Sequence, residues 1–86
     1  MTFTRKAETV NQCDRMMKAA KELKATVTRL TAMGTWRSLN PIGDRYVDFN
    51  GPFDVTRGEG PAFIRDDGTE VFMLDKTAHI IVEVTP

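Results

Sequence analysis

A run of apolar residues in the N-terminal third, spaced for a helix, constrains this chain most. Val10, Cys13, Met17, Ala20, Leu23, Val27 and Leu30 follow one another at steps of three or four, Met16 widens the stripe, and Met33 carries it to Gly34. Such spacing puts the whole set on one face of an α-helix. With Thr4 as N-cap, Glu8 in the first turns and Gly34 as the residue past the end, the pattern predicts a helix over about residues 5–33. Two considerations press against that full length. A helix over this span would be about 43 Å long, whereas a compact chain of this size has a diameter of roughly 30 Å. Thr26, Val27, Thr28 and Thr31 are also β-branched and accept a strand almost as readily. The helix therefore either breaks near Lys24 to Thr28, or overhangs and packs on something else, most simply a second copy of the chain.

The pattern changes after Gly34. Residues 34–44, with Trp36, Asn40-Pro41 and Gly43, show neither the helical nor the strand period and read as a connecting loop. Short β-prone runs follow near residues 45–49, 53–57, 62–65, 70–74 and 78–84. Asp66-Asp67-Gly68-Thr69 is the strongest hairpin signal among them, and Asn50-Gly51 is weakened by Pro52, which cannot donate to a ladder. Parity in the last run sets Ile80, Val82 and Val84 on one side as the core face, and His79, Ile81 and Glu83 on the other. These connections are too short for parallel crossovers. The fold class is thus α+β: a long N-terminal helix packed on a small antiparallel β-meander of four to five strands, as one domain over residues 1–86.

Composition sets the limits on function. An apolar content of 41% with 28% charged residues places the chain among folding globular proteins, away from disordered ones. Twelve basic side chains balance twelve acidic ones, so no whole-molecule field draws the protein to nucleic acid or to an anionic membrane. Balance overall conceals imbalance within: residues 5–33 hold seven basic side chains against three acidic, and the remainder holds the opposite excess. The single cysteine, Cys13, forms no internal disulfide, which favours a reducing, cytoplasmic setting. The polar and charged start, Met1 to Lys6, does not read as a secretory signal, and no apolar stretch approaches the roughly 20 residues of a membrane span.

Motifs for catalysis are sparse. His79 has no nucleophile elbow, paired histidine or helix-borne His/Glu motif to work with, and Cys13 lies on the apolar stripe, where a free cysteine behaves as a small hydrophobe. One Cys and one His do not make a metal site, Asp66-Asp67-Gly68 lacks the ligand spacing of a calcium loop, and Arg57-Gly58-Glu59-Gly60 reads as a tight turn with no phosphate-binding helix after it. The expectation is a non-enzymatic protein without cofactor or metal. Binding candidates come from the helical segment. Arg15, Lys18 and Arg29 form a basic face opposite the apolar stripe, with Lys21 to one side, and Leu30 and Met33 belong to the apolar end that would need cover if the helix overhangs. Asp14 and Glu22 interrupt the bases, and no aromatic residue is interleaved to stack on nucleobases, so a solvated outer face outweighs a nucleic-acid interface. The leading expectation is a compact accessory protein that docks on a larger protein or nucleoprotein complex, of the kind phages and mobile elements use against host defence. A nucleic-acid-binding domain using the basic helix face and a self-associating assembly component, a homodimer in the simplest case, are the alternatives.

Overall fold

The apolar stripe is shared between a helix and a strand. A computed structural model of the chain describes residues 2–38, 48–60, 71–73 and 77–86, with Ser38 and residues 71–73 described through their backbone. The elements are β1 (Phe3–Ala7), α1 (Val10–Glu22), β2 (Thr26–Met33), β3 (Thr35–Ser38), β4 (Asp48–Asn50) and β5 (Phe53–Asp54). A 3-10 turn (Val55–Arg57), β6 (Val71–Met73) and β7 (His79–Thr85) complete the description. The expected helix over residues 5–33 is therefore corrected to 13 residues, and its ends explain why.

Thr9, rather than Thr4, is the N-cap. Its backbone is extended at φ −139°, and its hydroxyl accepts the Gln12 N–H at 3.0 Å. The Gln12 side chain reaches back to accept the Glu8 N–H at 2.9 Å, so two donors without helical partners are satisfied by one another's neighbours. Residues before this cap are free to extend, and Phe3–Ala7 pair as a strand with β7. At the other end Lys24 takes the left-handed conformation, φ 58°. The Lys24 N–H donates to the Lys21 carbonyl at 3.0 Å and the Ala25 N–H to the Ala20 carbonyl at 2.8 Å, the paired closure that ends many helices. A lysine stands where glycine is usual, so the stop is not written in the residue type.

A bulge explains why the helical spacing runs on into β2. Val27 lies opposite Val84, and Arg29 opposite Glu83, which leaves Thr28 as the extra residue. Its hydroxyl donates to the Glu83 carbonyl at 3.2 Å. One inserted residue reverses the alternation of a strand. Val27 consequently shares a face with Leu30 and Ala32, opposite Val84, Val82 and Ile80, although a regular strand would set Val27 and Leu30 on opposite sides. A spacing of three is helical in a regular segment and strand-compatible in a bulged one.

All strand pairings are antiparallel and the helix crosses one face of a four-stranded sheet, so the α+β fold is as expected. The order in that sheet is β1-β7-β2-β5, and a second sheet runs β4-β3-β6. One connection departs from a plain meander. β1 and β2 are both antiparallel to the β7 strand between them, hence parallel to one another, and α1 makes the crossover, a split βαβ unit. Part of the expected loop over 34–44 is also strand: β2 continues into β3 past Gly34, whose N–H-side neighbour Met33 closes the first sheet and whose φ of 84° turns the chain into the second. A Cβ at Gly34 would lie 2.6 Å from the Ala78 Cα, so only glycine fits this crossing. β4 and β5 flank the same bend on one side, β6 and β7 on the other.

The core is one cluster of Ala7, Cys13, Leu30, Ala32, Trp36, Phe53, Ala78, Ile80 and Val82. Ile80 and Val82 are fully buried and Val84 packs against them, as strand parity requires. Trp36 is fully buried too, and its indole N–H donates to the Met33 carbonyl at 2.9 Å, which removes the penalty of burying a donor. The strand expected at 62–65, the Asp66-Asp67-Gly68 turn, residues 39–44 of the loop and residues 45–47 of the next strand lie outside the described residues. Within them, residues 53–57 divide into the short β5 and the 3-10 turn, closed where the Gly58 N–H donates to the Val55 carbonyl.

Candidate docking surface

β1 is the outermost strand of its sheet. Ala7 is buried, whereas Phe3, Thr4, Arg5 and Lys6 are exposed, and no described strand pairs along its outer side. An unpaired edge presents a row of free backbone donors and acceptors. Cross-strand neighbours share a face, so Phe3, Arg5 and Ala7, opposite Val84, Val82 and Ile80, point to the helix side, and Thr4 and Lys6 point away.

The helix covers only part of that face. Near its start Val10 and Cys13 pack on the core, but towards its end a cleft of about 450 Å³ opens between α1 and the sheet. Its walls are almost wholly apolar: Met16, Ala20 and Leu23 from the helix side, Phe3 from β1, and Val82 and Val84 from β7. Phe3 is 49% exposed and Leu23 is 81% exposed, the most exposed large hydrophobic side chains among the described residues. Arg5 is the one charged side chain in the lining, and it has no ion pair or hydrogen bond among the described residues. An apolar cleft, a lone cation and a free strand edge thus meet along β1.

The residues singled out from sequence fall in three places. Arg15, Lys18 and Lys21 are exposed on the outer face of α1, with Lys18 Nζ 3.3 Å from Asp14 Oδ2 one turn earlier. Arg29 is not with them, since it belongs to β2 and lies on the sheet face away from the helix. Its Nε is 3.5 Å from Glu83 Oε2 and 3.8 Å from Asp54 Oδ2. Asp54 is held below its usual range first by the Thr56 hydroxyl, and less by backbone N–H groups and by Arg29. Leu30 is 3% exposed and faces Val82 in the core, which corrects its reading as part of an uncovered helix end. Met33 is half-buried opposite His79. The structure therefore gathers three of the six residues on one surface and separates the others. Phe3, Arg5 and Leu23, which line the cleft, were not among those six. Only the spacing of Leu23 signalled a role, and it signalled burial.

The Cys13 thiol sits where its chemistry is suppressed. Cys13 is fully buried, and that desolvation, with the Asp14 charge beside it, pushes its thiol up to about 11, away from the thiolate that a nucleophile needs. His79 Nδ1 donates to the Thr77 carbonyl at 2.6 Å. Among the described residues no group of three or more His, Cys, Asp and Glu side chains is placed to hold a metal ion, and no helix is long and apolar enough to cross a membrane. Comparison with protein-family models, with curated proteins and with solved structures finds no match to this chain.

Proposed function

We propose that this chain is a non-enzymatic docking protein that receives an extended segment of a larger protein along the outer edge of β1. The observation that carries the reading is the coincidence of that open edge with exposed Phe3 and Leu23, two large apolar side chains left beside it. Main-chain hydrogen bonds to an edge supply affinity in such pairings, and adjacent pockets for alternate side chains supply selectivity. Self-pairing is the weaker use of this strand. In the antiparallel register that engages all of β1, Arg5 would face Arg5 of the second copy, and like charges directly opposite are destabilising. The outer helix face is weaker still, because Asp14 already pairs with Lys18 there.

Panning a displayed library of extended peptides on the folded protein, followed by amide hydrogen exchange with the selected peptides, tests the reading. Protection confined to residues 3–7 and their neighbours on β7 is expected. Protection on α1 alone, or tight binding of duplex DNA that falls steeply with salt and is lost on Lys18→Ala with Lys21→Ala, would overturn it.

A further inference from the structure

The free edge and the cleft also define what the docked segment looks like. We infer, on the reading just given, that the partner strand runs antiparallel to β1 and carries an acidic side chain two positions before a large apolar one. The argument begins with parity. A strand added to β1 sets its side chains alternately on the two faces, in line with those of β1. The residue it places opposite Arg5 and the residue it places opposite Phe3 are two apart, and both point to the helix side, where Arg5 and Phe3 point. In an antiparallel strand, the direction of every pairing in this sheet, the residue opposite Arg5 comes first.

Each position then has its chemistry. Opposite Phe3, the side chain meets a cleft bounded by Leu23, Val84 and Met16, and an aliphatic or aromatic group there covers the exposed apolar surface of Phe3 and Leu23. Opposite Arg5, the side chain meets a guanidinium that has no ion pair among the described residues, in a setting whose other lining side chains are apolar. A carboxylate satisfies it through a charge-assisted pair that gains strength as the cleft is covered, and a second basic residue is repelled. On the opposite face of the added strand, the intervening residue lies opposite exposed Thr4, which carries no charge and sets no requirement there. The recognition pattern is acidic, any, apolar.

The test uses end-blocked nine-residue peptides with a threonine-rich background and a central Glu-Thr-Leu, and measures binding by fluorescence anisotropy alongside amide exchange. The Glu-Thr-Leu peptide is expected to bind and to protect residues 3–7. Changing its Glu to Gln, or the protein by Arg5→Gln, is expected to weaken binding about tenfold, equivalent to about 1.4 kcal/mol. Arg5→Glu is expected to reverse the preference, so that Lys-Thr-Leu binds better than Glu-Thr-Leu, an exchange that a mere loss of stability would not produce. Equal binding of the Glu and Gln peptides, with β1 still protected, would overturn the inference and leave the edge reading standing. Absence of binding and of β1 protection by any of the peptides overturns both.

Discussion

The two halves of the helix–sheet seam are built from the same helix and the same strands, yet one is closed and the other open. Near the start of α1, the Cys13 side chain is fully buried in a cluster with Ala7 and Ile80. Near its end, Leu23 stands almost bare over a cleft walled by Phe3 and Val84. The difference lies in what the chain does next. The cap at Thr9 sets α1 directly after β1, so the first turns lie close on the sheet. The closure at Lys24 turns the chain from helix to strand before Leu23 finds a partner. The closed half buries its side chains, whereas the open half leaves Phe3 and Leu23 exposed.

Three measurements sharpen or break this contrast. The largest effect belongs to Ile80→Ala, which empties a fully buried position in the closed half and is expected to lower stability by about 2–5 kcal/mol in urea unfolding. A loss below about 1 kcal/mol would mean that the closed half is loosely packed. Next is alkaline pH. The Cys13 thiol titrates near 9.0 when unfolded and about 11 when folded, so the folded state holds its proton more tightly. Its contribution is complete below pH 9 and is lost as the pH rises through about 11, a decline of roughly 2–3 kcal/mol. Comparing unfolding midpoints at pH 8 and pH 11 for the native chain and Cys13→Ala isolates it, since the variant lacks this part of the slope. An identical slope in both would show that water reaches the closed half. Smallest is Leu23→Ser in the open half, expected to change stability by no more than about 0.5 kcal/mol while weakening peptide binding. A large destabilisation would show that Leu23 supports the fold after all.

The legible parts of this fold were local. Residues 10–22 carry the helical period without ambiguity, and Thr9-Val10-Asn11-Gln12 holds the spacing of a capping box, a start signal more specific than a lone Thr4. The core face of the last strand followed from alternation alone. The far end of the helix was hidden twice, by a lysine in a position that glycine usually marks and by a bulge at Thr28 that keeps Val27 and Leu30 on one face. β1 was hidden for another reason. Five residues with one large apolar side chain make a weak strand signal, and what holds Phe3–Ala7 in place is β7, near the other end of the sequence. The candidate site shares that origin, because Arg5, Leu23 and Val84 become neighbours only through this long-range pairing.

By itself, then, the sequence determined that the chain folds, that one helix packs by its apolar stripe on antiparallel strands, and that Ile80 and Val82 lie in the core. Those features depend on side-chain period and composition, which act over a few residues. Tertiary structure decided where the helix stops, that the first residues form the outermost described strand of their sheet, and that an apolar cleft lined by Arg5 opens beside it. These features depend on hydrogen bonds and contacts between segments distant in the chain, and a local pattern holds no record of the partner across the sheet.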